Sequence, residues 1–335
     1  MNRGNITKGI LSSIVDQYLR EIPRDPHRSI RKMVDMAVQT SNGPTQRICY
    51  QMMQNMAKNE SSPYYEMISH LVAHGDPATI KQFGINLGYN AWTFGPGNLR
   101  GILSENDVCA SWDVIIDRRS GERIPFSEIR GLVERGRQMD VYAWLLICSD
   151  LDEWEEYAEL FRAYPDSVFA LQLNPSSLTD VILEEAGDIH NLMFGLNTDE
   201  ADWQAAASDF MERGFPYTVW REVSTVEQAE EIMSGSWLEE LAPYYPLMAY
   251  TIAADELPSE TALALKQYMW DTRLGQLYPV LPVDLISDFV IINHMITRRS
   301  ILYRVNPDGS VSTAAKLQFE TGDLKIGDLF VKQGD

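Results

Sequence analysis

The sequence predicts an α/β fold: a parallel sheet wrapped by helices, in six βα units with the rhythm of a TIM-like barrel or partial barrel. Three observations lead there. Apolar runs near residues 113, 141, 168, 192, 217 and 245 show no polar alternation, as expected of strands covered on both faces. Between them lie amphipathic segments, each long enough for one helix. The runs recur about every 25 residues, the rhythm of repeated βα units.

Ahead of the barrel, the chain reads as helical. Residues 6–18 place Ile10, Leu11, Ile14, Val15 and Tyr18 on one face. The pattern returns over 29–38 with Ile30, Met33, Val34 and Ala37. It returns again over 45–58, where Cys49, Met52, Met53 and Met56 share a stripe and Pro44 suits a first turn. These methionines read as core filling. Glu66, His70 and His74 follow one another at single-turn spacing, but a zinc site would need a fourth ligand, so no metal is expected. Gly84, Gly88, Gly95 and Gly97 follow no strand, which argues against a dinucleotide fingerprint.

Residues 112–275 carry the barrel. A strand at 113–117 leads to a helix over 126–138 and a strand at 141–147 that ends in Cys148-Ser149-Asp150. Asp150 suits the N-cap of a helix over 152–164. A strand at 168–173 precedes a helix capped by Ser176 or Ser177 and ending near Gly187. A strand at 192–196 precedes a helix over 201–213, capped by Thr198 or Asp199 and stopped by Gly214. The strand at 217–221 is followed by a helix over 226–241 behind Ser224, the strand at 245–252 by a helix opened by Ser259. Residues 1–111 would then form a helical cap and 276–335 an extension. In the extension, a short extended piece at 278–282 precedes a mixed stretch, and Asn306-Pro307-Asp308-Gly309 marks a hairpin between 300–305 and 310–314.

Parallel barrels carry their working groups at the C-terminal ends of the strands. Those ends read 117–119, 148–150, Gln172 and Asn174, Asn197, 221–222 and 250–251, and Asp117, Arg118, Arg119, Ser149, Asp150, Asn174, Asn197, Arg221, Glu222 and Tyr250 among them form a polar ring able to bind a ligand. No residue of the ring is assigned as catalytic. Cys148 has no histidine near it in sequence to act as a base. At least one of Arg118, Arg119 and Arg123 is expected to fold inward and pair with a strand-end carboxylate, because unpaired charge in an enclosed mouth is costly.

Composition narrows the partners. Lys and Arg number 28 against 48 Asp and Glu, a net charge of −20 that repels phosphate backbones and anionic membranes. Nucleic acid and membrane are therefore not expected. Three scattered cysteines offer neither a disulfide framework nor a metal-binding pair, which points to a reducing, cytoplasmic setting. Oligomeric state is left open.

The stretch Ser111-Trp112-Asp113-Val114-Ile115-Ile116-Asp117, with Pro125-Phe126-Ser127-Glu128-Ile129 and the run from Arg135 to Tyr142, resembles the opening of the barrel in a branch of the radical S-adenosylmethionine (radical SAM) superfamily. Residues 59–65 and 76–86 resemble that branch's helical lead-in, and 300–314 its hairpin, so the likeness runs from about residue 29 to 330. It implies a six-stranded partial barrel with an N-terminal helical region and a hairpin-bearing tail. Where the family holds an iron-sulfur cluster on three cysteines, this chain has Arg118-Arg119-Ser120-Gly121-Glu122-Arg123. Where a Gly-Gly-Glu-Pro turn holds the amino group of SAM, it has Cys148-Ser149-Asp150-Leu151. Ser312-Thr313-Ala314 stand where a further cysteine can follow the hairpin. The resemblance therefore implies a degenerate member with no cofactor: a pseudoenzyme that binds or scaffolds an active relative or a peptide substrate. The alternative is an enzyme doing cofactor-free or SAM-dependent polar chemistry at the mouth with Asp117, Asp150, Arg221 and Glu222.

Overall fold

The computed structural model describes residues 3–40, 44–119 and 123–332. Ser120, Gly121 and Glu122, the middle of the arginine-flanked loop, lie outside the described residues, as does the side chain of Cys49.

Six α-helices lead in: α1 (Arg3–Glu21), α2 (Pro26–Thr40), α3 (Pro44–Met56), α4 (Tyr64–His74), α5 (Pro77–Ile85) and α6 (Gly95–Glu105). Asp76 caps α5 by accepting from the Thr79 amide, with Pro77 in the first turn, where its missing N–H costs nothing. The glycine-bearing stretch after α5 is not a loop but a π-helical segment, Asn86–Phe94, joining α5 to α6. Its asparagines explain its place. Asn86 donates to the carbonyls of Pro165 and Ser167, and Asn90 to that of Asp166, so the segment ties down the loop ahead of the third strand.

The barrel then runs β1 (Asp113–Arg118), α7 (Phe126–Gln138), β2 (Ala143–Cys148), α8 (Trp154–Ala163), β3 (Val168–Leu173), α9 (Asp180–Ala186), β4 (Leu192–Asn197), α10 (Trp203–Arg213), β5 (Tyr217–Val223), α11 (Val226–Met233), α12 (Ser236–Leu241), β6 (Met248–Ala253), α13 (Ser259–Gly275), β7 (Leu281–Asp284) and α14 (Leu285–Thr297). Strands β8 (Leu302–Val305), β9 (Ser310–Ala314) and β10 (Glu320–Lys325) finish the chain. One ten-stranded sheet results, in the order β10-β9-β8-β1-β2-β3-β4-β5-β6-β7. From β1 to β7 every neighbour is parallel; β8 runs parallel to β1, and β9 lies between β8 and β10, antiparallel to both. The parallel α/β core is thus as expected, but the six strands gain a seventh beyond β6 and a three-stranded addition beyond β1. The hairpin expected between 300–305 and 310–314 forms as β8 and β9, and the extended piece expected at 278–282 overlaps β7; what a pattern reading does not give is where these pieces join the sheet. β7 has four residues and contains Pro282, tolerated because the strand is an edge, and β8 meets β1 only through a contact remote in sequence.

Several helix starts also differ from the sequence reading. Thr225 rather than Ser224 caps α11, in a capping box with Gln228. Thr179 rather than Ser176 or Ser177 caps α9, by accepting from the Ile182 amide. The long helix expected over 226–241 breaks at Gly235, whose φ of +93° only glycine adopts readily.

The sheet is curled. β1 and β5 stand four places apart in strand order, which on a flat sheet would be about 19 Å. Yet Arg119, just past β1, bonds Glu222 of β5 at 2.7 Å. β7 and β8 do not pair, so a seam is left, and α14 packs against β6, β7 and β8. At the opposite end from the mouth, the lead-in helices and the strand starts enclose a cavity of about 610 Å³.

Candidate binding site at the barrel mouth

Strand alternation decides which strand-end groups reach the mouth. On β1, Asp113, Ile115 and Asp117 share the inner face, whereas Arg118 points outward to α8. There it donates to the Tyr157 hydroxyl at 2.7 Å and to Glu153 at 2.6 Å, with its guanidinium over the Phe126 and Tyr157 rings. Arg118 is 2% exposed, and its role is to tie the sheet to its outer helices.

Arg119, the next residue, turns in. It donates to Asp117 at 2.9 Å and to Glu222 at 2.7 Å, and sits 5.9 Å from the centre of the Trp220 ring. Burial opposes its charge, but the bonds to Asp117 and then Glu222 outweigh burial and hold the guanidinium above its ordinary range. Ser149 donates to the Arg119 carbonyl, and Arg123 forms a two-bonded pair with Asp150. That pair, before any other influence, holds the Asp150 carboxyl below the usual carboxylate range. Asn197 donates to Asn174 at 3.1 Å. The mouth thus unites Asp117, Arg119, Ser149, Asp150 and Glu222, with the Asn174 and Asn197 pair on the neighbouring strand ends. Three of the expected ring residues lie elsewhere: Arg118 beneath the outer helices, Arg221 in pairs with Asp199 and Glu231, and Tyr250 deep at the cavity end.

Below this ionic layer lies Gln172, a strand-end polar residue whose close packing over a glycine the sequence reading did not foresee. Gln172 is fully buried, and its carboxamide covers Gly195 so closely that a Cβ there would fall 1.8 Å from Gln172 Oε1. Neither amide atom of Gln172 has a hydrogen-bond partner, nor has Trp220 Nε1. The one signal in the sequence is a glycine inside the apolar run Leu192–Asn197.

The residues present do not fit an iron-sulfur cluster. Cys148 points away from the mouth, its Sγ 2.9 Å from the Tyr157 hydroxyl, and burial above all pushes its thiol up to about 12. Arg119 and Arg123 flank the loop that would have to supply thiolates. Among the described residues, no group of three or more His, Cys, Asp or Glu is placed to hold a metal ion. Glu66 accepts from the Tyr245 hydroxyl, and the His70 ring stacks on those of His74 and Tyr245. Also among the described residues, no helix is long and apolar enough to cross a membrane.

No protein family and no curated protein matches the sequence. Among solved structures, the chain is similar to the crystal structure of Streptococcus suis SuiB bound to S-adenosylmethionine, at 9% identity and a TM-score of 0.45, over 63% of this chain and 62% of that one. A second crystal structure of Streptococcus suis SuiB is similar at 10% identity and a TM-score of 0.45, over 73% of this chain and 75% of that one. The chain thus spans less than two thirds of the first neighbour's length, and a likeness this distant carries no functional argument.

Proposed function

We propose that this chain is a radical-SAM-like pseudoenzyme of the cytoplasm, a barrel kept for binding a protein or peptide rather than for chemistry at its mouth. The observation that carries the reading is that the mouth's charged groups engage one another. Asp117 and Glu222 are held by Arg119, and Asp150 by Arg123. A general acid or base needs a pKa near the working pH and a free lone pair or proton facing the substrate. Asp150 is shifted the wrong way for that task. The same pairs favour the pseudoenzyme over an acid-base enzyme of the barrel mouth.

The test is anaerobic reconstitution with iron and sulfide, followed by thermal shift with SAM. Neither brown cluster absorbance nor SAM stabilisation is expected, because a ligand that binds the folded state raises its apparent stability by mass action. Stoichiometric iron and labile sulfide on the chain, or a rise of several degrees with SAM, would overturn the proposal.

A further inference from the structure

The cavity of about 610 Å³ lies at the end of the barrel that enzymes of this architecture leave structural. Its size falls in the ordinary range of small-molecule sites, roughly 300–1,000 Å³. One wall is the start of the sheet, with Ala143, Val168, Ala170, Met193 and Thr218. Methionines from both the helices and the strands line it heavily, eight of the 14 in the chain, an adaptable surface that can repack around a guest. Trp112, Phe289 and Tyr250 supply aromatic faces, the Trp112 and Phe289 rings 5.3 Å apart. Ile48, Met53 and Ile291 belong to the lining and are also exposed, so the way in lies between α3 and α14.

One polar feature makes this more than slack in a core. Asp113, at the start of β1, lines the cavity and is 2% exposed, and its Oδ1 has no hydrogen-bond partner. An orphaned buried carboxyl oxygen is costly and calls for a donor. The cavity's own cation does not serve. Arg273, the only Lys or Arg among the described lining residues, places both Nη donors on Asp288 at 2.8 Å, and its Nε–H, the donor left over, does not bond Asp113 either. Tyr250 does not serve either, because its hydroxyl donates to Met248 Sδ at 3.0 Å.

We propose that this chamber binds a small apolar molecule with a single hydrogen-bond-donor head, an alcohol or an amine, whose head meets Asp113 Oδ1 while its body lies against the methionine and aromatic walls. A carboxylate head is disfavoured, since it would face both Asp113 and Asp288, while Arg273 has spent its two Nη donors on Asp288 and keeps only its Nε–H. The inference rests on the chamber alone and is independent of the reading of the mouth.

The test titrates the full chain at pH 8 with N-phenyl-1-naphthylamine, whose fluorescence rises in apolar sites, and then displaces it with dodecanol, dodecylamine or dodecanoate. Saturable binding of one probe per chain is expected, with dodecanol and dodecylamine displacing it at least about tenfold better than dodecanoate. Filling the chamber by Ala170→Phe should weaken probe binding by about tenfold or more. Should that variant fail to fold, Asp113→Asn is the second check, and the preference of dodecylamine over dodecanoate should fall about fivefold or more. No saturable probe binding, dodecanoate matching the amine, or full affinity in a folded Ala170→Phe chain would each overturn the proposal. SAM binding in the earlier assay would leave it standing, and failure here would leave the mouth reading standing.

Discussion

Asp113 shows how one buried atom sets a measurable property of the chain. Burial pushes its carboxyl up to about 7 from an ordinary 3.8, against the pull of the Val114 and Leu145 amides. A carboxyl raised by folding binds its proton more tightly in the native state, so its contribution is fully present below pH 4 and is lost as pH rises through 7. Asp113→Asn should therefore melt higher than the parent at pH 8, by on the order of 2–4 kcal/mol, with the gap closing toward pH 4. Asp284, pushed up to about 6 mainly by burial, shares that window, so the variant keeps part of the slope. Equal melting differences at both pH values would refute the assignment. Gly195 offers a purely steric counterpart. Gly195→Ala should cost about 2–3 kcal/mol in urea unfolding by driving a methyl into the Gln172 amide. Gln172→Ala in the same chain should recover most of it.

At the scale of elements, the closed mouth behaves as a unit. Arg119→Met strands Asp117, whose side chain is only 7% exposed, and should cost about 3 kcal/mol. Adding Asp117→Asn should restore most of that loss, since removing both members of a buried pair is far milder than removing one. Glu222→Gln should cost under about 1 kcal/mol, because Glu222 stands at the half-exposed rim where solvent screens the pair. The inward arginine could be expected from the sequence, because enclosed unpaired charge is expensive whatever the fold. Which arginine turns in needed the register of β1. Alternation counted from Asp113 places Arg118 outside and Arg119 inside, and the sequence alone does not say where that count begins. β2 was legible from its uninterrupted apolar run, β1 from Val114-Ile115-Ile116 ahead of it in the same rhythm, and α7 from the helical spacing of Ile129, Leu132 and Val133. The place of β7 in the sheet was hidden by its shortness and its proline, and the chamber by its methionines. A stripe such as Met52, Met53 and Met56 looks the same whether it fills a core or lines a hollow.

Among the described residues, the buried apolar side chains fall into two clusters of very different size. The larger runs through the sheet from β9 to β7 and the helices on it, while a small second cluster joins Ile22, Ile30, Ala57 and Tyr65 among the lead-in helices. Stability should follow that division. In native-state hydrogen exchange, amides of α1, α2 and α3 should open at clearly lower free energy than those of β1 to β6, and one common opening energy would show the cap and barrel to be a single cooperative unit. The seam in the sheet bears on how the chain is made. As it leaves the ribosome, β1 acquires its β2 neighbour early, but its other edge stays bare until Tyr303 arrives to face Val114. Throughout synthesis of the barrel, an apolar parallel edge is open to any nascent neighbour. A chain that stops at Thr297 keeps all seven consecutive parallel strands but lacks that cover, together with the tail's contacts to Trp144 and Arg135. It should emerge from translation largely as aggregate, and co-expression of residues 298–335 as a separate peptide should return part of it to the soluble fraction.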